Sequence, residues 1–500
     1  MSNSNDNVWL NSDSIRARFI KSINITNGII FDSQLDHYDD DHWQSVNTSR
    51  HRFQVFSAYI DRYNRSNMNQ RDQFQFSNAN DNDPFYFVRV IAVTVLNINE
   101  RVLCYYHPTN WSTTTSYGTF RECTLRPIRE HWNLNYSAYF IFCPIPLSSG
   151  VNRTIVHRSI SIFAFNNNNN QQQQQQQQQQ LNMIVPSNRI VIHSSKTTTT
   201  DVNMNESNQM AVCVKPLHYH YNQSIHMIEF IELNRLLGVD HFYMYNHSIG
   251  IEVDHVLKHY IRSEPSLITI LQWQLPFRSQ TEIRTEGIFA AINDCLYRAR
   301  NDHYRNVLFI DLDEFIIPHV HQDLKHLLAD MSGRFIDKVG AYSFRNGFFY
   351  LQYPNDPLVY DELDHSPLVT DRTRRIATHL TSLIKTNRKA SLNVHRQRSK
   401  FIVVPEYTVE VGNHFVWELS FGKHTLNVNP NIAYLHHYRV CEYGGDQCVQ
   451  NVAAIVDRRV HRWMMTLINR VEQCLNILCN GKTSTQQQQQ QSTQMCRLLL

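Results

Sequence analysis

Long hydrophobic runs are missing from this sequence. No stretch of about eighteen consecutive apolar residues occurs among its 500 residues, so no membrane-spanning helix is expected. The first residues, Met1–Asn11, are polar and lack the apolar core of a secretory signal peptide. The sequence therefore offers no visible membrane anchor.

An excess of one charge is missing as well. Lys and Arg number 47 against 44 Asp and Glu, which gives a formal net charge of +3. This near balance excludes the strongly basic footprint of a nucleic-acid-binding protein. Hydrophobic residues make up 42% and charged residues 18%. These values are typical of a globular chain with room for two or three domains.

The ten cysteines include no CxxC pair, so a structural zinc site is not expected. Spacings such as Cys441 to Cys448 and Cys474 to Cys479 allow a disulfide or two if the chain is lumenal. All N-x-S/T sequons lie in the first half of the chain. They favour a secretory lumen, although an Asn-rich sequence also produces sequons by chance.

The most informative stretch is Val307–Pro318, in which an apolar run leads directly into Asp311 and Asp313. Such a run predicts a buried strand of a parallel sheet, and these sheets bind ligands beyond the carboxyl ends of their strands. Two carboxylates there can hold a hard divalent cation that keeps positions open for phosphate oxygens. An isolated Asp-x-Asp is more often a turn, a helix cap or a solvated acidic patch. The preceding strand and the following Pro318 favour the metal site.

Composition divides the chain into five parts. Runs such as Phe85–Val95 are rich in β-branched and aromatic residues and predict a mostly β module. The Asn and Gln tracts cannot bury apolar surface and predict disorder. The predicted parts are a polar segment at 1–50, a mostly β module at 51–165, a low-complexity linker at 166–210, a catalytic domain at 211–480 and a disordered tail at 481–500.

From Ala211 onward, strands and amphipathic helices alternate up to Asp311. One of the helices is predicted over Ser224–Leu237, with Ser224 as its cap and Gly238 at its end. The β-α-β-α-β-α-β order predicts an α/β fold with a mostly parallel, doubly wound sheet. Farther along, a strand and hairpin are predicted over 340–350 and a mostly helical segment over 449–478.

A phosphatase of the haloacid-dehalogenase type also carries Asp-x-Asp after an apolar strand, with the first Asp as nucleophile. That pair usually ends the first strand of its domain, whereas Asp311 and Asp313 end the fourth. The residue two positions beyond the second Asp is Phe315, not the small hydroxylic or β-branched residue that the motif prefers. This hydrolase is the weaker enzyme alternative.

An ordered set of motifs resembles glycosyltransferase family 92, once catalogued as a domain of unknown function. The set runs from about Cys213 to Arg439 and also includes the region Phe53–Asp61 ahead of it. Each motif alone is weak, but their order and spacing are fairly specific. The motifs are Val214–Leu217, Glu229–Val239, His241–Asn246, Ala291–Cys295, Asp311–Phe315 and His437–Arg439.

The resemblance implies a GT-A fold, Rossmann-like and mostly parallel, preceded here by a smaller mostly β domain. It implies an inverting hexosyltransferase that uses UDP-galactose and a divalent metal, usually Mn²⁺, and acts on a glycan acceptor. Members are type II Golgi membrane proteins facing the lumen. This sequence departs in showing no N-terminal membrane helix, so it is either incomplete at that end or lacks the anchor.

Candidate site residues follow from the motif and the resemblance together. Asp313 is expected to bind the cation directly, while Asp311 shares it or binds ribose. His437 is the third ligand by resemblance, His414 is a rival, and a packed core histidine is nearly as good an account of His437. The donor-binding candidates are Lys215, Pro216, His218, Asn246, Asn293, Asp294, Asp311, Lys400 and Arg439.

Several of these donor-binding candidates have a plainer interpretation. Asn293 and Asp294 equally fit helix polarity and a buried amide bond, and Lys400 and Arg439 fit solvated basic residues. Inversion requires a general base, for which the sequence offers Glu418 or Asp364, although an acid in either position is more often just a surface acid. Three function classes remain: a metal-dependent glycosyltransferase, a hydrolase that uses Asp311 covalently, and a non-catalytic glycan-binding protein.

Overall fold

The N-terminal part of this computed structural model is one large sheet. The structure describes residues 42–63, 85–107, 118–145, 159–166, 185–193, 208–333, 338–359, 370–442, 445–480 and 496. The sheet runs in the order β5-β4-β8-β9-β2-β3-β7-β6, with β1 paired to β2. Its strands are β1 (Gln44–Ser45), β2 (Gln54–Tyr63), β3 (Phe85–Val95), β4 (Glu100–Tyr106), β5 (Thr119–Glu122), β6 (Thr124–Pro127), β7 (Tyr136–Pro144), β8 (Ser159–Asn166) and β9 (Ile190–His193).

The predicted linker at 166–210 was wrong in one place. β9 lies inside the linker range, where it pairs parallel with β2 and antiparallel with β8. β1 lies inside the polar segment and pairs with β2. Both strands are short and flanked by polar residues, so the composition of these ranges does not predict them. The poly-Gln tract lies outside the described residues.

A mixed α/β region follows. Its first part alternates β10 (Met210–Val214), α1 (Ser224–Leu236), β11 (His241–Asn246), α2 (Ile251–Ser263), β12 (Ile268–Gln272), α3 (Ile288–Asn301) and β13 (Asn306–Ile310). β10 pairs parallel with both β11 and β13, and β11 pairs parallel with β12. Every residue of β10 and β13 is buried, because helices and the N-terminal sheet cover the two faces.

The rest of the chain completes this sheet and adds smaller ones. The seven-stranded order is β12-β11-β10-β13-β18-β15-β21, in which β18 is antiparallel to both β13 and β15, and a three-stranded sheet runs β14-β22-β16. The strands are β14 (Glu314–Pro318), β15 (Val339–Phe344), β16 (Asn346–Tyr350), β17 (Asn387–Lys389), β18 (Lys400–Val403), β19 (Thr408–Val411), β20 (Val416–Leu419), β21 (His424–Asn427), β22 (Ala433–Arg439) and β23 (Ala454–Val456). The helices are α4 (Leu324–Ser332), α5 (Asp371–Ala377), α6 (Thr381–Ile384) and α7 (Met464–Asn480).

Two local predictions were wrong. Ser224 does not cap α1, since its Oγ donates to Glu252 Oε2 at 2.9 Å instead. The predicted hairpin over 340–350 does not form, because β15 joins the seven-stranded sheet while β16 joins the three-stranded one. The segment predicted as mostly helical over 449–478 is helical over most of its length, since a 3₁₀ helix spans Arg459–Trp463 and α7 follows it; the short strand β23 ahead of them pairs with β17.

The N-terminal sheet packs directly against the α/β region. A single buried cluster contains Phe56, Phe87 and Phe140 from the module together with Tyr245 and Trp273 from the α/β region. The opposite face of the seven-stranded sheet is covered by α1 and α2 in a second cluster. This packing fixes the module's loops relative to the carboxyl ends of β10 and β13.

Candidate active site

The acidic pair lies where β13 ends and the chain leaves the large sheet. Asp311 follows the last residue of β13, and Glu314 begins β14 in the three-stranded sheet. The turn between them is closed from both sides: Glu314 N–H donates to Asp311 O at 3.1 Å, and Asp311 N–H donates to Glu314 Oε2 at 2.8 Å. Asp311 and Asp313 thus lie just beyond the end of β13, as the sequence predicts.

Asp311 is bound by two lysines. Its Oδ2 lies 2.8 Å from Lys215 Nζ, at the end of β10, and its Oδ1 lies 3.3 Å from Lys400 Nζ, at the start of β18. Burial alone would raise the pKa of Asp311, but the two ammonium groups outweigh it and hold that pKa far below its usual range. In the same way, burial would lower the pKa of Lys215, and Asp311 raises it. Asp311, Lys215 and Lys400 therefore all stay charged.

Asp313 faces a histidine instead. Its Oδ2 lies 3.3 Å from His437 Nε2. The register of β14 against β22 sets Glu314 opposite His437, which brings this distant residue to the pair. Burial would raise the pKa of Asp313, and His437 lowers it, so the carboxylate is ionised.

Asp313 and His437 fit a divalent cation. His437 Nδ1 lies 3.2 Å from Glu314 Oε1 and 3.0 Å from Asn346 Nδ2. Within the described residues, no hydrogen bond reaches the buried Glu314 Oε1. Asn346 Nδ2 can only donate, so Nδ1 of His437 accepts this hydrogen bond and the imidazole proton lies on Nε2, facing Asp313. A cation bound at Nε2 would require the proton on Nδ1, where Glu314 Oε1 could accept it, which is the outer-partner arrangement of metal-binding histidines.

Asp311 fits such a cation less well than predicted, because both of its oxygens already contact lysines. Among the residues that the structure describes, the one group of three or more His, Cys, Asp or Glu donors converging within 4.8 Å is Cys104, Cys123 and Cys143 in the module. Asp311, Asp313 and His437 are therefore not gathered into a three-donor site.

These residues open into a crevice of about 830 Å³. Its walls are the segment after β10, the turn after β13, the end of β22, the tip between β19 and β20, the start of α3 and one loop of the N-terminal module. The residues that line it include Trp132, Lys215, Arg284, Asp311, Asp313, Asn413, His414, His437, Arg439 and Glu442.

Most of the predicted site residues line this crevice. They are Lys215, Pro216, His218, Asp311, Asp313, His414, His437 and Arg439. Burial lowers the pKa of His414 to about 3, with nearby Lys400 acting in the same direction, so this imidazole is neutral at pH 7. Arg439 is ion-paired with Glu442. Asp364, one of the two predicted bases, lies outside the described residues.

Two predicted donor-binding residues on α3 lie in the interior instead. Asp294 accepts hydrogen bonds from Tyr59 Oη at 2.6 Å and Tyr245 Oη at 2.7 Å, so it joins the module to the α/β region. Asn293 Nδ2 donates to Val411 O at 2.9 Å. Both serve packing, because a helix that is covered on all sides must satisfy its polar groups internally.

Three further predicted residues do not line the crevice. Glu418 is buried and ion-paired with Arg126 and Arg129 of the module, which removes it from reach of an acceptor. Asn246 is used through its backbone, whose carbonyl accepts from Trp273 N–H at 2.9 Å. Lys400 is buried below the crevice, where it also contacts Glu314 Oε2 at 3.2 Å.

Sequence reasoning missed Glu314, Arg284 and Trp132. Glu314 directly follows the pair, and its position as a third acid within an otherwise apolar stretch was the available signal. Arg284 precedes α3 by four residues and lies at the crevice. Trp132 belongs to another sheet, and no pattern near it in the sequence points to a sugar or nucleotide site.

Disulfides join Cys213 to Cys295, Cys441 to Cys448, and Cys479 to Cys496. The first ties β10 to α3, and the second closes the segment that carries Glu442. Of the helices that the structure describes, none combines the length and the apolar character of a membrane-spanning segment.

The sequence profile of glycosyltransferase family 92 matches residues 208–473, more than half of the chain. The β-1,4-galactosyltransferase galt-1 of Caenorhabditis elegans is 23% identical over 238 residues, which cover 47% of this chain and 49% of that protein. The chain thus spans about half the length of this curated relative.

Solved structures with partial similarity include two sugar transferases. One is the mannosyltransferase PcManGT from Pyrobaculum calidifontis in complex with GDP-Man and Mn²⁺, at 10% identity and a TM-score of 0.23, over 58% of this chain and 81% of that one. The other is glucosyl-3-phosphoglycerate synthase from Mycobacterium tuberculosis with Mn²⁺ and UDP-glucose, at 10% identity and a TM-score of 0.22, over 55% and 81%. Nothing about this chain is inferred from similarity this low.

Proposed function

The chain belongs to glycosyltransferase family 92, and we propose that it transfers a hexose, galactose in particular, from a UDP-sugar to a glycan hydroxyl. The proposal includes a GT-A type of catalytic domain, dependence on a divalent cation such as Mn²⁺, and inversion at the transferred carbon. The single observation that carries it is the arrangement of Asp313, His437 and the lysine-bound Asp311 at one crevice.

Asp313 and His437 are the residues that would hold the cation. When bound, such a cation neutralises the charge that develops on the leaving diphosphate. The protein's own positive charge acts on the same group: Lys215 lines the crevice and keeps its charge because Asp311 raises its pKa, whereas the charge of Arg439 is taken up by its ion pair with Glu442. Lys400 acts indirectly, since it fixes the carboxylate that orients Lys215.

Inversion requires a base on the side of the sugar opposite the diphosphate. Apart from Asp311 and Asp313, the carboxylate that lines the described crevice is that of Glu442. It is exposed, contacts Arg439 and directly follows a disulfide-bonded Cys441. We assign the base role to Glu442 as a hypothesis, and Asp364 stays a prediction because it lies outside the described residues.

A secretory-pathway location, in the Golgi lumen and with a membrane anchor, is part of the proposal. Three disulfides favour an oxidising compartment, and the sequons agree with it. The galactose preference comes from the relative named above, which shares about half of its length with this chain.

The competing hydrolase is disfavoured by charge. A nucleophilic Asp311 would need a free oxygen, whereas both of its oxygens contact ammonium groups. A non-catalytic glycan-binding protein is the remaining alternative, and it would need neither the cation nor a nucleotide.

Thermal unfolding of the full chain with UDP and Mn²⁺ tests the proposal. Binding to the native state raises the unfolding midpoint by mass action, so UDP and Mn²⁺ together should raise it more than either alone. Asp313→Ala should abolish the joint effect. Asp330→Ala is the matched control, because Asp330 forms an exposed pair with His321 at 3.2 Å. A joint effect that survives Asp313→Ala would contradict the assignment.

Turnover separates the enzyme classes. Release of UDP from UDP-galactose should require Mn²⁺ and should disappear in Asp313→Ala. Binding without any turnover of UDP-sugars would support the glycan-binding alternative, and a phosphorylated Asp311 would support the hydrolase.

A further inference from the structure

The loop between β6 and β7 of the N-terminal module reaches the crevice. It carries Trp132, which lines the crevice while 60% of its surface remains exposed. A single exposed aromatic side chain is common on protein surfaces, but one that also lines a ligand crevice offers a large contact surface to a bound molecule. The loop therefore extends the active site beyond the catalytic domain.

Hydrogen bonds fix this loop to the catalytic domain. Glu130 Oε2 accepts from Asn413 N–H at 3.0 Å and from Trp417 Nε1–H at 3.3 Å. Arg129 N–H donates to Glu410 Oε1 at 2.9 Å. Gly412 adjoins this contact, and a Cβ there would lie 2.3 Å from Glu130 Oε2. The close fit places the loop against the tip that carries Asn413 and His414.

The backbone at the tip of the loop is strained. Trp132 and Asn133 have φ values of +57° and +54°, in the left-handed region that L residues other than glycine rarely occupy. Across the crevice edge, Thr285 and Glu286 also have positive φ. Strain of this kind persists where surrounding contacts hold it, and it clusters at ligand sites.

Arg284 completes the surface. Its guanidinium carbon lies 4.2 Å from the centroid of the Trp132 ring, and its Nη1 donates to Gln280 Oε1 at 2.5 Å. The stacked guanidinium orients the indole and offers further N–H donors next to it. A flat aromatic face beside fixed donors suits a sugar ring, whose C–H face packs on the indole while its hydroxyls accept hydrogen bonds.

We propose that Trp132, supported by Arg284, is the platform on which the acceptor glycan stacks, so that the N-terminal module supplies the acceptor subsite. This inference rests on the proposed function. The groups suited to diphosphate and cation, Lys215, Asp313 and His437, all belong to the α/β region. Trp132 adds to the same crevice a neutral, uncharged face, which serves a carbohydrate and not a phosphate.

Binding to immobilised glycans tests the platform. The biotinylated full chain, clustered on streptavidin to gain avidity, is applied with UDP and Mn²⁺ to a printed glycan array. Trp132→Ala should lose about tenfold or more of the signal on the glycans that the unchanged chain binds, the loss typical of truncating a central tryptophan. Trp132→Phe should retain most of the signal, because a ring remains.

Phe421→Ala is the matched control. Phe421 is 65% exposed and does not line the crevice, so its removal should leave glycan binding unchanged. The unfolding midpoint of each variant checks folding, and if Trp132→Ala is unstable, Trp132→Leu decides the matter, because it keeps apolar bulk but no ring and should lose the signal as well. Full glycan binding by Trp132→Ala, or no glycan binding by the unchanged chain, would overturn the proposal.

The joint UDP and Mn²⁺ effect on the unfolding midpoint separates this proposal from the proposed function. It should be the same in Trp132→Ala as in the unchanged chain. Its loss in Trp132→Ala alone would mean that the ring stacks on the uracil, which overturns the acceptor assignment. Its absence in the unchanged chain would instead count against the proposed function.

Discussion

Replacing Lys400 with methionine would remove a buried positive charge from below the crevice. Lys400 Nζ lies 3.3 Å from Asp311 Oδ1 and 3.2 Å from Glu314 Oε2, and it donates to Asn413 Oδ1 at 3.2 Å. Methionine fills a similar volume with an adaptable apolar chain. The variant should therefore keep the packing but leave two buried carboxylates without their shared counter-charge.

The magnitude follows from these distances. At the 3.3 Å separation from Asp311 and an effective dielectric constant of about 20, the Coulomb attraction is about 5 kcal/mol. Desolvation of the ammonium offsets part of this, and removing one partner of a buried pair typically costs about 3–5 kcal/mol. At about 2 °C per kcal/mol for a large unit, we expect the unfolding midpoint to fall by about 6–10 °C.

Thermal unfolding followed by circular dichroism measures this decrease. Lys258→Met is the matched control, since Lys258 forms an exposed pair with Asp254 at 2.7 Å on α2 and should cost less than about 1 kcal/mol. Adding Glu314→Gln to Lys400→Met should restore part of the loss, because one of the uncompensated charges is gone. Equal effects of the two lysine substitutions, or strict additivity with Glu314→Gln, would refute this reasoning.

Three further outcomes are expected. Glu442→Gln should slow sugar transfer by about 100-fold or more, because an amide cannot take up the proton. The joint UDP and Mn²⁺ effect on the unfolding midpoint should persist in this variant. Unchanged initial rates would exclude Glu442 as the base. Burial lowers the pKa of His193 and of His319 to about 4, so between pH 6.5 and 4 the unfolded chain binds protons that the folded chain does not, and stability present at pH 7 is lost as the pH falls. Midpoints at pH 7 and pH 5 check this loss, and equal values would contradict it. The double substitution Cys213→Ala/Cys295→Ala opens a loop of 82 residues and should cost about 4.5 kcal/mol by the chain-entropy relation. Denaturant unfolding of the variant and the unchanged protein, both without reductant so that the other two disulfides persist, measures this loss, and equal stabilities would contradict it.

The strand that leads into the acidic pair was predictable because its signal is local. A strand that is apolar at every position from Val307 to Ile310 is stable only if both of its faces are buried. The carboxylates that follow need solvent or a ligand, so they lie where the strand leaves the sheet. The structure has Asn306–Ile310 as the strand and Asp311 directly after it. The mixed α/β fold followed from the same kind of periodicity.

The predicted site roles of Asp294 and Glu418 were wrong because the residues that contact them are distant in sequence. Asp294 looked like a donor-binding acid, but it meets Tyr59 of the module, more than two hundred residues earlier. Glu418 looked like an exposed acid, but Arg126 and Arg129 of the module bind it. Helix or strand periodicity cannot reveal such contacts, since only the packing of the two sheets creates them.

β15 and β16 show, within one domain, that sequence periodicity does not reveal contacts between distant parts of the chain. The sequence over 340–350 reads as one strand and hairpin, and the two strands are separated by a single residue, Arg345. Arg345 Nε and Nη2 donate to Asn393 O and Leu392 O at 2.9 and 2.7 Å. Strand propensity was correctly identified there, whereas the choice of sheet depends on β18 and β22, which come much later in the chain.

Glu314 links the lysine contacts of Asp311 to the histidine contact of Asp313. Its Oε2 accepts from Asp311 N–H and contacts Lys400, and its Oε1 lies beside His437 Nδ1. Burial raises its pKa, while Lys400 opposes that effect. The lysine-bound Asp311 and the histidine-facing Asp313 thus share one buried carboxylate, so a change at Lys400 should reach His437 without any contact between them. A weaker joint UDP and Mn²⁺ effect in Lys400→Met would show that this buried charge reaches the crevice, either through Asp311 and Lys215 or through Glu314 and His437, because Lys400 itself does not line the crevice.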